Sequence, residues 1–200
     1  ISLLSYCTSS PAPGFSSQPS TIIEEVQLSG DNFSINNNTA GVNDFYEDYT
    51  QSIYADITEG QMYSVNVTAN DLYSVPGSYA PEAINVYIDF NIDGDFLDAG
   101  EDLGVINIPI GSWTAGTVYP FIFIVPITGA YGATRMRVVC MSNAGGGPSV
   151  SMGPCEGSIN FNTPWFGATE DYSIIISASS LTCSQSNTTT NPATAYSVYG

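Results

Sequence analysis

The 200-residue sequence predicts an all-β protein, an antiparallel β-sandwich of about eight to nine strands. Three observations carry this expectation. Apolar residues alternate with polar ones in short runs, turn residues (Gly, Asn, Pro, Ser) separate the runs, and no stretch carries a helical apolar period.

Taken in order, Thr21–Leu28 and Ser52–Ile57 are the first two runs. Met62–Thr68 follows, with Tyr63, Val65 and Val67 on one face and Ser64 and Asn66 on the other, since strand side chains alternate. Ile84–Asn91 leads into an acidic loop and Leu103–Ile108 leaves it. In Val118–Val125 both faces are apolar: Val118, Ile122 and Ile124 on one, Tyr119, Phe121, Phe123 and Val125 on the other. Such a strand is either central and covered on both faces, or it offers one face to another subunit. Thr134–Met141 places Arg135 and Arg137 on one face and Met136, Val138 and Cys140 on the other. Tyr172–Ser177 is the last regular strand.

Residues 8–20 and 142–164 read as loops, and no internal repeat is visible. The expected organisation is an N-terminal extension and loop over 1–20, the sandwich over 21–177, and a Ser/Thr/Asn-rich extension over 178–200 with an extra strand at Ala193–Tyr199.

Charge narrows the function. Nineteen Asp and Glu stand against two arginines, with no lysine and no histidine, for a net charge of −17. No basic groove for nucleic acid can be built from two cations, and an anionic lipid surface would repel the chain. Ser-His and Cys-His nucleophiles, Schiff bases and His-ligated metals are all excluded by composition. Calcium binding, carboxylate-pair hydrolysis or no chemistry remain. No run is long enough to span a membrane; the longest apolar one, Phe121–Val125, fits a single buried strand. The sequence begins at Ile1 and shows no signal peptide, as expected of a processed product. Cys7, Cys140, Cys155 and Cys183 include no CxxC pair and read as two disulfides, with scattered thiolate metal ligation the weaker alternative. Sequons stand at Asn32, Asn37, Asn66 and Asn187. The expected setting is extracellular or at a cell surface.

The densest chemistry is Asp89-Phe-Asn-Ile-Asp-Gly-Asp-Phe-Leu-Asp-Ala-Gly-Glu101. Asp89, Asn91 and Asp93 hold positions 1, 3 and 5 of a DxNxDG loop, Gly94 takes the sharp turn and Asp95 position 7. Such a loop winds oxygen ligands round Ca²⁺. The helical EF-hand needs a glutamate at position 12, where Gly100 stands, so Asp98 or Glu101 is expected to close the shell of an EF-like calcium loop set between strands. The competing reading is a solvated acidic turn.

Three motifs in order, Val86–Glu101, Gly132–Val138 (GATRMRV) and Gly167–Tyr172 (GATEDY), together with Tyr6-Cys7 and Pro154-Cys155, resemble the GEVED domain over residues 6–177. Ala168 and Thr169 replace the Glu and Val of the name motif. The resemblance implies a secreted or surface β-sandwich module of Bacteroidetes-type bacteria, an accessory to other domains with no catalytic role of its own. It also implies a Cys7–Cys155 bridge, one of three possible connectivities, which leaves Cys140 with Cys183.

For Arg135 and Arg137 two roles compete: a site for an anionic ligand, or structural ion pairs with Glu170 and Asp171, which the family motif suggests lie on a neighbouring strand. For the whole chain the leading expectation is a calcium-stabilised structural subunit of an extracellular fibre or matrix. It would form a head-to-tail homopolymer by strand addition from its extensions and by apolar β-surface contacts. The alternative is a glycan-binding, adhesive module using Trp113, Trp165 and tyrosines as stacking platforms. A carboxylate-pair glycosidase is the least favoured, and no enzymatic activity is expected.

Overall fold

The computed structural model describes residues 4–9, 21–39, 44–71, 82–109, 112, 114–142, 153–155 and 167–179. Among these residues there are ten strands and no helix: β1 (Thr21–Leu28), β2 (Ile35–Asn38), β3 (Tyr46–Asp48), β4 (Tyr54–Thr58), β5 (Met62–Asp71), β6 (Glu82–Ile88), β7 (Asp102–Ile108), β8 (Val118–Ile124), β9 (Gly132–Ser142) and β10 (Ala168–Ser177). One sheet runs β2-β1-β5-β8, and the other runs β3-β10-β9-β6-β7 with β4 also on β10. Alternating side chains turn one face of each sheet inward. Val26, Leu28, Val65, Val67, Phe121 and Phe123 meet Ile84, Val86, Met136, Val138, Tyr172 and Ile174 in one buried cluster. Each such side chain contributes about 1.5–3 kcal/mol by leaving water.

The sandwich is mixed rather than purely antiparallel. β3 and β4 lie one after the other along the same edge of β10, both parallel to it. Pairing between segments more than a hundred residues apart needs no hairpin, so nothing in the chain path enforces antiparallel order. Between them, the Tyr49 N–H donates to the Asp171 carbonyl at 2.9 Å and keeps the turn on that edge. Among the described residues β8 is an edge strand, not a central one. Its inner residues Phe121 and Phe123 are buried, while Val118, Ile122 and Ile124 remain exposed on the outer face.

A second, smaller cluster covers the outer face of the β6–β9 region: Ala83, Tyr87, Phe96, Val139 and Met141, with Tyr6 and Val105 against it. The second sheet is therefore buried on both faces there. This explains why Arg137 is 1 % exposed although it points away from the main core. Entry into β10 is tight: a Cβ on Gly167 would sit 1.8 Å from the Cys140 carbonyl oxygen, so only glycine fits.

Candidate functional site

β6 ends at Ile88, and the chain turns out of the sheet into residues 89–101 before β7 begins at Asp102. Ile92 has φ 60, a conformation that β-branched residues avoid, and Gly94 has φ 99. Asp89 holds this path. Its Oδ1 accepts the N–H of Ile92 at 2.7 Å and of Asp93 at 3.3 Å, and its Oδ2 accepts the Gly94 N–H at 3.1 Å and the Tyr6 hydroxyl at 2.7 Å. Glu101 does the same from the far end, accepting the N–H of Phe90 at 3.0 Å and, through Oε2, of Asp98 at 3.2 Å. Burial, reinforced by the charge of Asp89, raises the Glu101 carboxyl above its ordinary range despite those hydrogen bonds.

The expected ligand set therefore divides in two. Asp93, Asp95 and Asp98 bring one carboxylate oxygen each to within 4.8 Å of one another. Asn91 lies among them, its Nδ2 donating to Asp93 Oδ2 at 3.0 Å and to Asp98 Oδ2 at 2.7 Å. Asp89 and Glu101, at 0 % and 2 % exposure, have both carboxylate oxygens turned to backbone N–H groups and stand outside that trio. The spacing template counts positions along the loop. It does not register that Asp89 sits where a strand ends and N–H groups converge on it. The three carboxylates could hold a metal ion, while Asn91 turns its Nδ2 to them and its Oδ1 to the Asp93 N–H.

Beneath the loop lies the arginine pair. Register sets Arg137 opposite Asp171 and Val138 opposite Glu170. Arg137 grips Asp171 with a two-pronged ion pair, Nε to Oδ1 and Nη2 to Oδ2, both 2.7 Å. Arg135 Nη1 and the Tyr46 hydroxyl also reach Asp171 Oδ2, at 3.0 and 2.9 Å. Among the described residues Asp171 is thus the carboxylate that both arginines pair with. Glu170 is not an arginine partner, because adjacent strand residues face opposite ways. Burial favours neutral Arg137, but the hydrogen bonds to Asp171, its charge and Tyr46 together outweigh it and raise the guanidinium further.

The remaining Arg137 nitrogen, Nη1, donates to the carbonyls of Cys7 at 3.0 Å and Pro154 at 2.6 Å. Cys7 and Cys155 form a disulfide. Tyr6 packs on Phe96 with centroids 5.2 Å apart, and the Arg135 guanidinium lies 4.4 Å over the Tyr6 ring. Ser9 meets the Thr169 hydroxyl at 2.8 Å. Residues 4–9 are therefore bound to their own domain, the acidic loop included. Ser9, Tyr46, Phe96 and Thr169 are members of this assembly that no sequence motif singled out, whereas Tyr6 stood in the Tyr6-Cys7 pair.

Glu170 faces the other way, between the sheets. Its carboxyl accepts the Tyr172 hydroxyl at 2.5 Å and the Thr39 hydroxyl at 3.1 Å, and Glu47 lies beside it. Burial, with the Glu47 charge adding to it, raises Glu170 to about 8. Tyr49 donates to Glu47 at 2.9 Å and Asn37 to the Tyr172 oxygen at 2.8 Å, completing a tie from β2 to β3 and β10.

The other expected positions fall as follows. Asn32 Nδ2 donates to Asp56 Oδ2 at 2.6 Å, and Asn66 lies on the outer face of β5, accepting the Ser64 hydroxyl at 3.0 Å. Cys140 is buried in the main core, its sulfur 3.4 Å from the Thr21 carbonyl oxygen. Cys183, Asn187, Trp113, Trp165 and the strand expected at 193–199 lie outside the described residues.

In comparison with known proteins, the family model of the GEVED domain matches residues 83–175, a little under half of the chain. That span contains the acidic loop, the arginine strand and the Glu170-Asp171 pair. No curated protein matches the chain.

Proposed function

We propose that this chain, which carries a GEVED domain over residues 83–175, is a non-catalytic structural subunit of an extracellular fibre or surface matrix. In this reading copies associate through an apolar β-surface. The observation that carries it is the outer face of β5 and β8, where Met62 is 69 % exposed, Ile122 68 % and Ile124 63 %. A run of apolar side chains in water marks a contact surface. Charge makes the same point: at −17, with both arginines on Asp171, copies repel wherever carboxylates face each other. Among the described residues, Met62, Ser64, Asn66, Val118, Ile122 and Ile124 on the β5–β8 face carry none.

Calcium enters as a stabiliser. Asp93, Asp95 and Asp98 with Asn91 would hold the ion, while Asp89 and Glu101 shape the loop around it, and bound cation would remove part of the repulsion within it. The Cys7–Cys155 bridge is in keeping with an oxidising, extracellular setting.

Light scattering and negative-stain imaging of the purified chain, in calcium and after chelation, test the reading. Filaments or large oligomers in calcium, weakened by chelation, are the expected result. A monodisperse monomer at high concentration in calcium overturns it.

A further inference from the structure

We propose that Glu170 and Glu47 share a single proton, and that this proton latches β3 onto β10 and frees it when both carboxyls ionise.

β3 is three residues long and runs parallel to β10, with Tyr46 opposite Thr169, Glu47 opposite Glu170 and Asp48 opposite Asp171. Two acids thus stand directly against two acids, which destabilises a sheet wherever both members of a pair are charged. Side chains alternate along a strand, so the two pairs face opposite ways. On the outer face Arg135 and Arg137 hold Asp171. Against its burial, hydrogen bonds from Thr50 and then the charges of both arginines keep the Asp48 carboxyl below its ordinary range. Those arginines are the only cationic side chains in the sequence, so none is left for the inner pair.

Glu170 is buried, and among the described residues no positive group faces it. Glu47 and Tyr49 approach from β3 and the turn after it, Tyr172 from β10, and Asn37 and Thr39 from β2 and its end. β9 sets Val138 opposite, with Met136 and Cys140 on the same face and the Cys140 sulfur turned to the Thr21 carbonyl. β1 contributes Ile23 and Val26 to the core, while its acids Glu24 and Glu25 engage Asn70 and Gln27. Neutral hydroxyls from Tyr172, Thr39 and Tyr49 cannot cancel two charges on strands about 4.8 Å apart in a dry interior. One proton can, because it removes one charge and lets a carboxylic acid donate to the carboxylate beside it.

β3 is the element free to yield. It sits at the outer edge of β10, held across its two ends by the Thr169 N–H on the Phe45 carbonyl and the Tyr49 N–H on the Asp171 carbonyl, both 2.9 Å. The five-residue β4 occupies the same edge further along, with Asp56 opposite Ile175 and no acid against an acid. Lifting β3 admits water to both glutamates, uncovers the Thr169–Asp171 edge and leaves Asp171 with its arginines.

Amide exchange in the full chain, expressed at each pH relative to an unstructured peptide, tests the latch. Each opening between pH 4.5 and about 8 releases one proton, so protection of the Thr169 and Tyr49 amides should fall by up to about tenfold per pH unit there and level off above. The Glu59 amide, bonded to Ser177 at the β4 end of the same edge, should keep its protection. Glu47→Gln and Glu170→Gln should each flatten the fall. Protection of Thr169 and Tyr49 that does not change with pH, or that falls in step with Glu59, overturns a local latch. A fall that persists in Glu47→Gln overturns the shared proton and leaves the burial of Glu170 alone as its cause. A fall abolished by added calcium also overturns it, assigning the pair to a metal ion.

Discussion

Replacing Arg137 with alanine removes five hydrogen bonds in one step: two to Asp171 at 2.7 Å, one each to the Cys7 and Pro154 carbonyls, and one to Cys7 Sγ at 3.5 Å. The carboxylate left behind is 0 % exposed, with Arg135 its remaining cation. Truncating one partner of a buried pair costs about 3–5 kcal/mol, because the other charge stays in the interior without compensation. For a chain of this size each kcal/mol moves the midpoint by about 2–4 °C, so a fall of roughly 6–20 °C is expected. Circular dichroism melting at neutral pH, with the disulfide kept oxidised, measures it. Arg137→Lys should fall between wild type and alanine, since an ammonium keeps the charge but loses the fork. A drop of less than about 2 °C for Arg137→Ala refutes the reasoning, because the side chain would then be contributing less than about 1 kcal/mol. Lost anion binding at unchanged melting would assign the arginines to a ligand.

Two further outcomes follow from Glu170 and from the disulfide. Glu170 is raised from 4.5 to about 8, so the folded state holds its proton more tightly than the unfolded one; its contribution is full below pH 4.5 and is lost as pH rises through about 8. Melting temperature should decline across that window, and Glu170→Gln, which stays neutral while still accepting from Tyr172 or Thr39, should flatten the decline; an equal slope in both proteins would refute the assignment. Replacing Cys7 and Cys155 together with serine should cost about 2–5 kcal/mol and increase proteolysis near residues 4–9, read by mass spectrometry of limited digests; unchanged melting would mean that the non-covalent contacts of Tyr6, Ser9 and Arg137 hold the segment without the bridge.

The strands legible in the sequence are those with one face in the main core, such as Met62–Thr68, where alternation separates Val65 and Val67 from Ser64 and Asn66. β2 and β3 were not legible, because Ile-Asn-Asn-Asn and Tyr-Glu-Asp carry turn residues and become strands only through their partners. Order within a sheet is equally silent: Val118–Val125 has the composition of a central strand, yet β8 stands at an edge with half its apolar residues in water. The acidic loop was visible as a calcium-like pattern, but not the division of labour inside it. Asp89 and Glu101 differ from Asp93, Asp95 and Asp98 by what the backbone points at them. Parity also separates Glu170 from Asp171. The pair reads as one acidic motif, and only register on β9 sends one residue to Arg137 and its neighbour between the sheets.

The bridge between Cys7 and Cys155 has a mechanical meaning for a subunit of any load-bearing material. Tension entering at the N-terminal side passes through one covalent link directly to residue 155, across a sequence separation of 148 residues. At about 3.4 Å per residue, roughly 500 Å of extensible chain is thereby taken out of the load path. β1 through β9 lie wholly within that closed length. A pull along the chain would therefore be borne by the clasp and by β10 with its pairing to β9, β3 and β4, while the β2-β1-β5-β8 sheet stays out of the direct load path.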